Sequence, residues 1–434
     1  MSRHEYDRIP YLVAYQNSSK VRDVYGGVAE LVVLESYLLR PAAPSDTVLV
    51  FMHPIGGGAY LPMINALARA GHHVIYCNSR FRGTDSALLM EKVVEDLGEA
   101  VKDAKNRLGY SKVVLAGWSG GGSLSMFYQQ QAQHPTVTAS PSGDGPDLTA
   151  LGLIPADGIM LLAAHISRHG TLTEWLDASI LDESDPDNRD PELDLYNPDN
   201  PNQPPYSPEF LARYRQAQID RNRRITFWVK GKLAKLSAEG RPDDEFGFVV
   251  HGTMADPRWL DPTVDPNDRT PGTCYLGDPA VVNMSPVGLA RFCSLRSWLS
   301  QWSYDDANGD GVVCGRDITV PALVIGNRAD DACTPSHTHR LFEAIGHPDK
   351  EMHEIAGAKA ARGEIAGHPL DAGREAGVGE GAATRAVDEC RLVAQFRGAA
   401  EREGVQRLRR QRYVRERAPE DHRLLSAARA SRRC

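Results

Sequence analysis

Lys112-Val113-Val114-Leu115-Ala116-Gly117-Trp118-Ser119-Gly120-Gly121-Gly122 is the stretch whose reading decides the fold. Val113 to Ala116 is a short unbroken apolar run and reads as a buried strand. It passes into Gly117-Trp118-Ser119-Gly120-Gly121, the pattern G-x-S-x-G, and then into Ser123 to Gln133, which reads as a helix. A serine between strand and helix, with glycine two residues away on either side, describes a turn so tight that its neighbours must lack a Cβ. Such a turn holds a hydroxyl clear of the sheet, over the positive end of a helix.

The chain upstream extends the same alternation. Thr47 to Met52 is nearly all apolar, as a central strand covered on both faces must be. It ends in His53-Pro54-Ile55-Gly56-Gly57-Gly58. A glycine-rich loop at a strand end lets backbone N–H groups face a substrate oxygen. Attack on an ester carbonyl makes that oxygen negative, and fixed donors stabilise it without reorganising. The expected donors are Ile55 and Gly120, with Gly56 as the alternative within the loop. Tyr60 to Ala70 reads as a helix, His73 to Asn78 as a strand, and Leu88 to Leu108 as a helix from the spacing of Val93, Val94, Leu97, Val101 and Leu108. Val28 to Glu35 and Tyr37 to Arg40 read as opening strands. In the turn at 78–86, Arg82 and Asp85 are read as loop braces. Strand and helix alternating in this way imply a mostly parallel sheet with helices on both faces.

Downstream, Ile159 to Ala164 resumes as a strand ending at His165. From there to about Thr319 the alternation is lost. Residues 182–208 are acidic and rich in Pro and Asn, and helical patches follow at Pro208–Arg223, Thr226–Ser237 and Ser285–Trp302. This segment reads as a lid inserted between sheet strands. It carries Trp175, Trp228, Trp259, Trp298 and Trp302, which either line an apolar pocket or fill the lid's own core. Within it, Asp306, Asn308, Asp310, Gly311 and Asp317 match the spacing of a calcium loop, although Asp stands where Glu is usual and a strand follows instead of a helix. Ordinary turns use the same residues, so no metal is assigned.

Composition bounds the function. The chain has 434 residues, 41% hydrophobic and 24% charged, with a net charge of −8. That charge argues against nucleic acid as a partner, and no apolar run reaches the length of a membrane span. The polar start, without a signal-type apolar core, leads to the expectation of a cytoplasmic protein. Seven scattered cysteines describe neither a disulfide framework nor a zinc site, and are read as buried small apolar residues.

Continuing to Val320-Pro321-Ala322-Leu323-Val324-Ile325-Gly326-Asn327-Arg328-Ala329-Asp330-Asp331, the chain resembles the α/β-hydrolase fold family over about residues 25–357. The resemblance rests on that stretch together with the loop at His53–Gly58 and the turn at Gly117–Gly121. It implies a core in two parts, 1–164 and 319–358, with a lid at 165–318. It also implies a serine esterase or lipase working without a cofactor on a small-molecule ester. Ser119 would be the nucleophile, and Asp330, or its rival Asp331, the acid that orients a histidine. The acid not used would cap the helix beginning near Ser336. The family's histidine follows the last strand, here Glu351 to Ile355, but Lys359-Ala360 stand where it is usual. His368 is the first candidate and His353 the alternate, while His337 and His339 are set aside as lying on the helix after the acid. Residues 359–434, rich in Ala, Arg and Gly, depart from the family. They are read either as a shifted frame of GC-rich DNA or as a genuine basic extension.

Overall fold

Runs of sequence without a charge become the middle of the sheet. The computed structural model describes residues 4–16 and 31–358. Its main sheet is built from β1 (Tyr6–Gln16), β2 (Leu31–Pro41), β3 (Thr47–Phe51), β4 (His73–Cys77), β5 (Lys112–Ser119), β6 (Gly158–Ala164), β7 (Ala322–Asn327) and β8 (Lys350–Ile355). The eight strands lie in the order β1-β2-β4-β3-β5-β6-β7-β8. β2 pairs antiparallel with β1 and β4, and every other pairing is parallel. Every residue of β3, β4 and β6 is buried, which is why these strands carry no alternation. Helices α1 (Pro62–Arg69), α2 (Met90–Asn106) and α3 (Gly120–Gln133) connect the parallel strands. One core joins the apolar sides of α2 and α3 to the sheet through Val93, Leu97, Val101, Leu124, Phe127, Val113 and Leu115.

Residues 165–321 contribute no strand to this sheet. They hold α4 (Arg168–Trp175), α5 (Pro208–Ala238) and several shorter elements, with apolar clusters of their own. Helix α6 (Pro335–Ala344) then connects β7 to β8.

Four expectations are corrected here. Tyr6–Gln16 is a strand that the polar start of the chain concealed. The patches at 208–223 and 226–237 are one continuous helix, α5. Ser285–Trp302 is no long helix but a strand at Phe292–Ser294, a short turn of helix and a π-helical turn at Trp298–Trp302. Helix α6 is capped by neither Asp330 nor Asp331 side chain, because the Asp265 carboxylate accepts the Ser336 N–H (3.1 Å) and hydroxyl (2.6 Å).

The calcium-type loop has its side chains committed to protein partners. Asp306 accepts from Lys230 and Ser303, Asn308 donates to Glu91, Asp310 caps residues 311–315, and Asp317 accepts from Gln130. No group of three or more His, Cys, Asp or Glu that could hold a metal exists among the described residues. Cys77, Cys274, Cys293, Cys314 and Cys333 are all buried. Among the described residues no helix is long and apolar enough to cross a membrane.

Candidate active site

The parallel strands deliver their C-terminal ends to one edge of the sheet, where α/β folds place their ligands. Ser119 ends β5 with φ 53° and ψ −124°, a conformation that few non-glycine residues adopt. The approach of β5 to α3 enforces it. A Cβ on Gly117 would lie 2.5 Å from the Gly121 carbonyl oxygen, and one on Gly121 2.5 Å from that of Met52. The next strand yields to this turn. β6 pairs Trp118 with Leu162 and Ser119 with Ala164, so Ala163 is bulged out at φ 41°. The His165 N–H then donates to the Ser119 carbonyl at 3.0 Å.

Ser119 faces a cavity of about 390 Å³, whose walls include Ile55, Gly120, His53, His165, Arg168, Trp118, Trp175 and Trp302. That volume suits a small organic molecule. Gly120 is the first residue of α3, so its N–H has no acceptor within the helix. Across the cavity, the loop after β3 is held by Asn78 Oδ1, which accepts the Gly57 N–H (2.9 Å), and by the Tyr76 hydroxyl, which accepts that of Gly58 (2.6 Å). The Gly56 N–H is spent on the His53 carbonyl (2.8 Å). The Ile55 N–H makes only a long contact, 3.4 Å to His53 Nδ1. Of the two loop donors, Ile55 is therefore the one that remains available.

Asp330 follows β7 and is fully buried. Its Oδ1 accepts the N–H groups of Ala332 and Cys333, both at 2.8 Å, and these two residues line the cavity. Its Oδ2 has no hydrogen-bond partner among the described residues. Burial pushes the carboxyl up to about 7, against the pull of the two N–H bonds. Asp331, by contrast, engages its carbonyl, which accepts the Trp259 indole N–H at 2.6 Å. His353 stands on β8, with Nε2 3.3 Å from the Glu351 carboxylate, and is not part of the cavity wall. His368 lies outside the described residues.

Other side chains reach the site that the sequence reading did not assign to it. The His165 ring contacts buried His337, Nδ1 to Nδ1, at 3.4 Å. His337 Nε2 lies 2.9 Å from Glu174, whose carboxylate pairs with Arg258, and Arg258 pairs in turn with Asp256. Burial and the positive Arg258 act oppositely on Glu174. The arginine and His337 win, holding the carboxyl well below its usual range. Burial, then His337, pushes His165 well below the usual imidazole range. His53 is lowered to about 3 by burial and by Arg168, so it is neutral at physiological pH. The signal for His53 and His165 was available, since His165 directly follows a parallel strand and His53 comes two residues after one. Arg168 carried none, and neither did Glu174 and His337, which lie behind His165 rather than in the cavity wall. The expected braces at 78–86 pair elsewhere: Arg82 with Glu35, and Asp85 with Arg168.

A family model described as the alpha/beta hydrolase fold matches residues 47–138, from β3 through α3. Together with the strand order and the turn at Ser119, that match decides the class. The chain has the α/β-hydrolase fold. Solved structures similar to this chain include GrgF from Penicillium sp. sh18, an alpha/beta hydrolase, at 11% identity and TM-score 0.43, over 82% of this chain and 94% of that one. Est1E from Butyrivibrio proteoclasticus is similar at 12% identity and TM-score 0.38, over 76% and 87% of the two chains. The monoacylglycerol lipase of Paleococcus ferrophilus is similar at 16% identity and TM-score 0.34, over 72% and 85%. No curated protein sequence matches the chain significantly.

Proposed function

We propose that this α/β-hydrolase is a serine hydrolase that cleaves a carboxylic ester of a small apolar or aromatic substrate. The observation that carries the proposal is Ser119 itself, held at φ 53° at the mouth of a helix and facing a cavity walled by tryptophans. In this reading the Ser119 hydroxyl attacks the acyl carbon while an imidazole removes its proton. The carbonyl oxygen becomes negative between the N–H groups of Ile55 and Gly120. Collapse expels the alcohol, which takes the proton back from the imidazole and leaves an acyl group on Ser119. Water repeats the sequence and releases the acid.

Asp330 is the acid of this mechanism. Two N–H bonds fix its Oδ1, and Oδ2 is the oxygen left for an imidazole N–H. We assign that imidazole to His368. Amide, lactone or thioester cleavage, or transfer to an alcohol in place of water, would use the same groups. A binding protein on this fold would have the cavity without an activated serine.

A fluorophosphonate probe tests the proposal, since it reacts only with an activated serine. The natural chain is expected to label, and Ser119→Ala is not. A natural chain that stays unlabelled would overturn the proposal and leave the binding protein.

A further inference from the structure

We infer that Arg168, with His53 beside it, forms an anchor for a carboxylate on the substrate, at the corner of the cavity next to Gly120. The inference deepens the ester-hydrolase reading by naming the substrate class, but the binding corner exists whether or not Ser119 is active.

Arg168 is the first residue of α4 and its side chain is 6% exposed. A guanidinium offers five N–H donors and no acceptor. One side of it is used: Nη2 pairs with Asp85 at 3.2 Å. Its carbon lies 4.3 Å from the centre of the Trp302 ring, which fixes the plane of the group. The other donors make no hydrogen bond among the described residues. Nε is buried with no hydrogen-bond partner among the described residues, and Nη1 turns toward Gly120, 3.6 Å from where a Cβ on that glycine would stand. His53 Nε2 reaches the same point from across the cavity, at 3.1 Å. His53 Nδ1 faces the Ile55 N–H at 3.4 Å, and with its hydrogen on Nε2 the neutral imidazole donates at this corner. Two donors of different origin thus converge beside the Gly120 N–H at the start of α3.

A buried cation with unmatched donors is costly unless an acceptor completes it. A carboxylate suits a guanidinium better than a neutral carbonyl does, because it brings charge and two oxygens in one plane. The neighbouring wall is apolar and aromatic, with Trp118, Trp175 and Leu289. The occupant inferred is therefore an acid with an aryl or alkyl body, such as the monoester of a dicarboxylic acid.

Phenylacetate and its neutral isostere phenylacetamide test this on the full chain, by titration of tryptophan fluorescence. Phenylacetate is expected to bind at least ten-fold more tightly. Arg168→Gln is expected to erase that preference, and Arg168→Lys to keep part of it, since charge is retained and the planar fork is lost. Melting curves establish that each variant is folded. If Arg168→Gln does not fold, the acid–amide comparison on the natural chain decides alone. Equal affinity for acid and amide, or binding of neither, would overturn the inference. Fluorophosphonate labelling of the same samples keeps the two readings apart. Labelling without carboxylate preference removes only the anchor, and carboxylate preference without labelling removes only the hydrolase.

Discussion

At Ser119 the backbone holds an unfavourable conformation, whereas at Asp330 the cost is electrostatic. A φ of 53° on a serine costs on the order of 1–3 kcal/mol, held in place by strand pairing on one side and helix α3 on the other. Asp330 is buried, with one oxygen bonded twice and the other without a partner among the described residues. The sign of the linkage follows. Its carboxyl is raised from 3.8 to about 7, so the folded chain keeps a proton that the unfolded chain has lost. Stability associated with that proton is present at low pH and is lost as pH rises through 7. Asp330→Asn does not titrate. The melting temperature of the natural chain, relative to this variant, should therefore fall between pH 5 and pH 8. A difference that grows with pH would mean instead that a cation already sits on Oδ2. For Ser119→Ala, hydrolysis of a small aryl ester should drop by about 10⁴-fold or more, measured as kcat/KM.

Helix α5 shows how an element can be misread although its residues are good helix formers. Its buried face runs through Phe210, Tyr214, Gln218, Arg221, Asn222, Ile225 and Val229. The spacing is helical throughout, but the middle of the stripe is polar. Gln218 donates to the carbonyls of Glu174 and Leu176, Arg221 pairs with Glu183, and Asn222 donates to the Trp302 carbonyl. An apolar periodicity breaks at such residues, and one helix reads as two. The start of α6 is a comparable case, since its cap is supplied by Asp265, about 70 residues away in the chain. Asp265→Ala should lower stability by about 1 kcal/mol through the lost cap, read as a shift in the chemical denaturation midpoint. Ser336→Ala should reproduce only part of it, because the backbone N–H still has its acceptor.

Across the whole molecule, residues 165–321 and the sheet layer are joined by polar contacts as well as by apolar packing. The Trp259 indole and the Asn267 amide donate to the carbonyls of Asp331 and Asp330, bracing the loop that carries the acid. On α2, Glu91 is fully buried. It accepts from Ser300 (2.7 Å) and Asn308 (2.9 Å), while Ser300 Oγ also accepts the Met90 N–H (2.7 Å). Burial raises the Glu91 carboxyl, and the two hydrogen bonds work against that rise. A raised carboxyl loses stability as pH increases, and removing a donor raises it further. Ser300→Ala should therefore destabilise more at pH 8 than at pH 5, by roughly 1–3 kcal/mol for the buried group left unmatched. Melting at the two pH values checks this, and equal losses would contradict it.

Much of the fold was legible because its signals are local. A short apolar run without alternation, bounded by turn residues, suits a strand covered on both faces, as β3, β5, β6 and β7 are. Glycines at 117 and 121 are demanded by atoms a few ångströms away, so Ser119 and the loop at Ile55 could be found from spacing alone. Strand β1 escaped because it lies at the sheet edge, where half its residues face water and Pro10 costs no ladder bond. The cavity's polar corner was decided only by the tertiary structure. Arg168 meets Asp85, and nearby Glu174 meets His337, across long stretches of chain, and a buried charge takes its meaning from partners that no local pattern names. The sequence by itself determined that a serine stands in a tight turn at the end of β5. The fold determined what that serine faces: a cavity lined by a neutral His53 and by Arg168 paired on one side with Asp85, with Asp330 buried and bonded to the wall residues Ala332 and Cys333.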